Sequence, residues 1–108
     1  MAKTKLSSTA APSGASISKL DEHEIERELG KRPEWSETGG AIQRTYQFKN
    51  FVESMAFVNK AAEAAEADQH HPDVLIRYNK VTMTLSTHDA GGITLKDFSL
   101  AAKLDQMT

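Results

Sequence analysis

No cysteine occurs among the 108 residues, which excludes disulfides, thiolate nucleophiles and zinc–thiolate centres. There is no apolar run near the roughly 18 residues that a membrane-spanning helix needs, so no membrane partner is expected. Nor is positive charge in excess: 13 Lys and Arg stand against 15 Asp and Glu, a net charge of −2. A dedicated nucleic-acid binder usually carries a clustered basic face, so no direct nucleic-acid contact is expected either. Tryptophan occurs once and proline three times, so each is informative where it falls. What is present, 39% apolar and 26% charged residues, is the composition of one soluble globular domain, expected in the cytoplasm.

Residues 1–17, MAKTKLSSTAAPSGASI, are rich in Ser, Ala and Thr and contain no acidic residue. Such a stretch buries too little apolar surface to offset its ordering entropy, so a flexible tail is expected ahead of a single domain over 18–108. A short organelle-targeting peptide is the competing reading of an acid-poor, Ser-rich leader, and the lack of any Arg counts against it.

Ser18 is a candidate N-cap with Asp21 at N3, opening a helix that buries Leu20, Ile25 and Leu29 and stops at Gly30 and Pro33. His23 falls among charges and reads as a solvated residue. Trp35 opens a short strand, Gly39-Gly40 makes a hairpin turn, and Ile42, Arg44, Tyr46 and Phe48 alternate with Gln43, Thr45 and Gln47 on the return. Asn50 caps a second helix to about Asp68, with Phe51, Met55, Val58, Ala62 and Ala65 on its apolar face. Two more strands follow, joined at Asn79-Lys80. After the Gly91-Gly92 loop, Thr94 caps a last helix with Asp97 at N3 and Leu95, Phe98, Ala101 and Ala102 inward. The fold class is therefore α+β, in the order α-β-β-α-β-β-α. It comprises a four-stranded antiparallel sheet covered by three helices, with one sheet face open to water or another subunit.

Chemistry concentrates between Glu66 and Asp97. His70 and His71 are adjacent, Pro72 stops the helix after them, and His88 follows the second hairpin. A turn at Asn79-Lys80 pairs Tyr78 with Val81 and Asp73 with Ser86, bringing His71 to the sheet edge where His88 lies. Glu66 precedes His70 by one helical turn, and Asp97 opens the helix after the His88 loop. Imidazoles gathered with carboxylates suit proton transfer near neutral pH. Two other readings stay open on spacing alone. The histidine pair would cap a helix C-terminus, or three imidazoles with Asp73 or Asp89 would ligate zinc, although no familiar spacing such as HExxH is present. Trp35 reads equally as a core aromatic and as a ligand-facing one.

The run from Glu66 through HHPD, YNKV and LSTHDAGGIT to Asp97, with Trp35, Phe48 and Phe51 upstream, resembles the pterin-4a-carbinolamine dehydratase family. The likeness spans about two-thirds of the chain, from Trp35 onward. It implies three helices on one sheet face. It also implies loss of water from 4a-hydroxytetrahydropterin to give quinonoid dihydropterin, recycling the cofactor of aromatic amino-acid hydroxylases. His70, His71 and His88 match the family's three histidines, the first and last in acid–base roles and His71 holding the pterin. Glu66 and Asp97 match orienting or binding positions, while Trp35, Asp73, Ser86 and Thr87 are weaker candidates for the cleft. No metal or cofactor is implied beyond the pterin substrate, and a homo-oligomer, dimer or tetramer, is. The competing implication is a non-catalytic module, a transcriptional coactivator or assembly factor acting through its oligomer surface.

Overall fold

The structure is a computed structural model and describes residues 18–108; the tail reading of 1–17 lies outside the described residues. The elements follow the expected order: α1 (Glu22–Gly30), β1 (Ser36–Thr38), β2 (Ala41–Gln47), α2 (Phe51–Asp68), β3 (Asp73–Arg77), β4 (Lys80–Leu85) and α3 (Leu95–Asp105). A short 3-10 turn, His88–Ala90, lies between β4 and α3. The sheet is antiparallel in the order β1-β2-β4-β3, so the two hairpins join through β2 and β4. Period-two alternation puts Ile42, Tyr46, Val81, Met83 and Leu85 under the helices, each at most 3% exposed. The opposite face is polar. Gln43 Nε2 donates to Thr84 Oγ1 at 2.9 Å, and the Thr45 and Thr82 hydroxyls pair at 2.7 Å. Among the described residues no helix is long and apolar enough to cross a membrane.

Several local expectations are corrected. Helix α1 begins at Glu22, not after Ser18, because Asp21 forms the capping box: its Oδ1 accepts from Glu24 N–H at 2.8 Å, and Glu24 Oε1 accepts from Asp21 N–H at 3.0 Å. Leu20 lies before the helix, its N–H donating to the Ile93 carbonyl at 2.8 Å. It and Ile25 both enter the core, in the staple spacing of N′ and N4.

Helix α2 is rotated from the predicted stripe. It buries Ser54, Phe57, Ala61 and Ala65, whereas Phe51 is 48% exposed and Ala62 is exposed. Ser54 sits on the inner face because its hydroxyl donates to the Asn50 carbonyl at 3.2 Å, which satisfies a polar atom where an apolar one was expected. On α3, Leu95 is 55% exposed, and Asp97, Phe98, Leu100, Ala101 and Leu104 are buried. The hairpin turn is Tyr78-Asn79, not Asn79-Lys80. Arg77 pairs with Lys80 and Asp73 with Thr84, a register two residues from the expected one. Tyr78 carries the turn at φ +52°.

The far end of α3 closes the core. Trp35, just before β1 and 3% exposed, donates from Nε1 to both Asp105 carboxylate oxygens at 3.1 Å. Asp105 also accepts from Arg32 (3.1 Å), Arg44 (2.8 Å) and the Tyr46 hydroxyl (2.5 Å). Burial, then the hydrogen bond to Asp105, pushes the Tyr46 phenol above its usual range. Trp35 packs edge-on against Tyr46, with ring centroids 6.3 Å apart.

Candidate functional site

The two adjacent histidines part company at one backbone residue. Helix α2 ends at Asp68, and Gln69 takes the left-handed conformation (φ 50°, ψ 42°). The His70 N–H then donates to the Ala65 carbonyl at 3.0 Å and Gln69 N–H to Glu66 at 3.1 Å, a closure of the Schellman kind. The helix thus stops before the histidines, and Pro72 is not what ends it. The left-handed turn sends His70 inward and leaves His71 outside.

His70 is 8% exposed, with Nε2 2.5 Å from Asp97 Oδ1. Asp97 is fully buried, and a buried carboxylate is costly unless it is hydrogen-bonded. Here it is: Oδ2 accepts from the Thr94 N–H at 2.9 Å and from the Thr87 hydroxyl at 2.9 Å. The Thr87 and Thr94 hydroxyls are themselves 2.7 Å apart. The capping box that starts α3 therefore also holds the histidine partner.

His71 stands outside this cluster, with Nε2 2.5 Å from Glu66 Oε2 and both side chains more than half exposed. Glu66 thus pairs with His71, not with His70 as helical spacing had suggested. An exposed pair of this kind contributes about 1 kcal/mol or less. Glu66 and His71 border a mostly apolar cavity of about 210 Å³ formed by Val58, Ala61, Ala62, Ala65, Pro72 and Val74. His70 lines a different one, of about 180 Å³, with Asp68, Lys96, Ser99 and Lys103.

His88 is exposed in the 3-10 turn that follows β4. Continuing the observed β3–β4 register sets His71 opposite Ser86 and His70 opposite Thr87, so His88 lies one residue further on. The shared edge was legible, but the partner brought there is Thr87. Of the weaker candidates, Asp73 and Ser86 are exposed, whereas Thr87 is buried against Asp97. Trp35 is a core aromatic at the opposite end of α3, about 12 Å along the helix from Asp97. Among the described residues no three His, Asp or Glu side chains are grouped so as to hold a metal ion. Thr94 was anticipated as the cap with Asp97 at N3, whereas the placing of Ser99, Lys96 and Lys103 around the cavity beside His70 was not.

The profile of the family described as Pterin 4 alpha carbinolamine dehydratase matches residues 18–107. A protein of Picosynechococcus sp., provisionally named a pterin-4-alpha-carbinolamine dehydratase, is 55% identical over 89 residues, covering 82% of this chain and 97% of that one. A relative with the same provisional name in Thermomicrobium roseum is 52% identical over 91 residues, covering 84% and 98%. Among solved structures, a transcriptional coactivator/pterin dehydratase from Brucella melitensis superimposes with a TM-score of 0.80 at 34% identity, covering 82% of this chain and 97% of that one. A pterin dehydratase-like protein identified as a RuBisCO assembly factor in the alpha-carboxysome shares the fold, with a TM-score of 0.56 at 19% identity over 68% of this chain and 84% of that one.

Proposed function

Because the chain belongs to the pterin-4-alpha-carbinolamine dehydratase family, we propose that it dehydrates 4a-hydroxytetrahydropterin to quinonoid dihydropterin by histidine acid–base chemistry. The reaction needs a proton on the departing 4a-hydroxyl, which leaves as water. It also needs loss of the N5 proton, whose electron pair completes the bond from N5 to C4a. His70 and His88 exchange these protons. His71 and Glu66 hold the pterin, the carboxylate facing its amidine-like edge. The observation that carries this reading is the buried His70–Asp97 pair, in which the carboxylate offsets the charge the ring gains when it takes a proton. Positioned acid–base groups of this kind contribute about 10²–10⁴ in rate. The proposal includes independence from metal, recycling of a pterin spent by an aromatic amino-acid hydroxylase, and a homo-oligomeric enzyme in the cytoplasm.

The test is stopped-flow decay of freshly generated 4a-hydroxytetrahydropterin, followed by its ultraviolet absorbance. Wild-type protein should accelerate the decay with or without chelator, and His70→Ala and His88→Ala should each lose most of the acceleration. Folded wild type that leaves the decay unchanged would overturn the reading.

A second reading, a non-catalytic binding module, is favoured by one observation. Val74 and Leu75 on β3, an edge strand of the sheet, are 41% and 55% exposed, and an exposed apolar sheet edge is a ready surface for pairing with another chain. Partner binding through that surface should survive His88→Ala, whereas dehydration should not.

A further inference from the structure

We propose that Thr87 and Thr94 form a directed hydrogen-bond relay that locks His70 as its Nε2–H tautomer, making Nδ1 the atom that exchanges protons, with Thr87 a positioning residue acting through Asp97. The inference deepens the dehydratase reading and rests on it for the identity of the substrate.

The direction follows from counting protons. An ionised carboxylate only accepts, and a backbone N–H only donates. The Thr94 N–H lies 2.9 Å from Asp97 Oδ2, so that oxygen is an acceptor. Thr87 has one hydroxyl proton, and its bond to Asp97 Oδ2 at 2.9 Å uses it. The 2.7 Å contact between the two hydroxyls must then be donated by Thr94 and accepted by Thr87. The Thr94 oxygen remains free to accept from the Lys96 N–H at 3.2 Å. With Oδ2 holding two donors, Oδ1 is the atom left for His70, and the 2.5 Å contact takes the proton on Nε2. With the carboxylate ionised, each hydroxyl and each carboxylate oxygen is satisfied in this one arrangement, and reversing the Thr87–Thr94 or the His70–Asp97 link leaves two buried acceptors facing each other with no proton between them. The relay also fixes the carboxylate rotation, since turning it would strip both donors from Oδ2 in a site where Asp97 and Thr94 are wholly buried.

A sharp consequence attaches to Asp97→Asn. The Thr94 N–H and Thr87 hydroxyl require an oxygen at the Oδ2 position, so the new amide must present its NH₂ to His70. Nε2 then has to accept, and the ring is forced into the Nδ1–H tautomer. In serine proteases the same exchange beside a catalytic histidine lowers kcat by about 10⁴.

The experiment is ¹⁵N–¹H correlation of the histidine ring nitrogens in the full chain, at a pH where His70 is neutral, on wild type, Asp97→Asn, Thr87→Val and Thr87→Ser. Wild type should show His70 protonated at Nε2, and Asp97→Asn should show it protonated at Nδ1. Thr87→Val should lose the slowly exchanging Nε2–H resonance and at least tenfold in dehydration rate, and Thr87→Ser should restore both. An Nδ1–H tautomer in wild type, the same tautomer in wild type and Asp97→Asn, or a Thr87→Val protein that keeps its resonance and rate would each overturn the relay. The wild-type tautomer is read without any variant, so misfolding of one variant does not remove the test. The spectra need no substrate. A protein with the predicted tautomers but no dehydratase activity would therefore sink the proposed reaction while leaving the relay standing.

Discussion

Asp97 and Asp105 stand in the first and last turns of the same helix, α3, and each carboxylate gathers a separate part of the chain. Asp97 draws in His70 from the end of α2 and Thr87 from the end of β4. Asp105 draws in Arg32 and Trp35 from the α1–β1 link and Arg44 and Tyr46 from β2. An acidic residue in a last turn is unfavourable for the helix dipole, and the two guanidinium groups at Asp105 outweigh that. One helix thus carries the candidate chemistry at its start and the clasp of the fold at its end.

Replacing Asp105 by Asn should therefore act on stability and leave the His70 end intact. The substitution keeps the shape but removes the negative charge that faces two partly buried arginines and turns one of the two acceptor oxygens into an NH₂ donor among four donating side chains, with an expected cost of about 2 kcal/mol. Urea denaturation of Asp105→Asn against wild type measures it. The dehydration rate at low temperature should change by less than twofold.

The same cluster predicts a specific alkaline weakness. The Tyr46 phenol is held above its usual value by burial and by Asp105, so the folded state prefers it protonated. Its contribution to stability is then fully present below the unfolded value of about 10 and is lost as pH rises above that toward the higher folded value. The thermal midpoint of wild type should therefore fall above about pH 10, and Tyr46→Phe, which cannot ionise, should show a shallower decline over the same range.

Two phenylalanines on α2 distinguish the observed helix face from the one the apolar spacing suggests. Phe57 is 3% exposed and packs against Tyr46, with ring centroids 4.6 Å apart, whereas Phe51 is 48% exposed. Phe57→Ala should cost about 3–5 kcal/mol, and Phe51→Ala about 1 kcal/mol or less. Equal losses in denaturant melts would contradict the rotation of α2.

Much of this molecule was legible in one dimension. Alternation in β2 and β4, the glycine pair at 39–40 and the caps at Asn50 and Thr94 determine the element order and the antiparallel hairpins, because these signals act within a few residues. The HHP and STH runs with their flanking carboxylates likewise located the candidate chemistry and its family likeness. Tertiary structure alone decided the rest. The face of α2 turns on Ser54 finding its own helix carbonyl, the β3–β4 register on Tyr78 accepting a left-handed turn, and the fate of Trp35 on a carboxylate seventy positions away. The parting of His70 from His71 rests on one left-handed residue, Gln69, which no pattern marked. Local propensity and period are written in neighbouring residues. Which histidine meets Asp97 depends on how two helices and a hairpin close over one another, and that is settled only when buried donors and acceptors must all be matched at once.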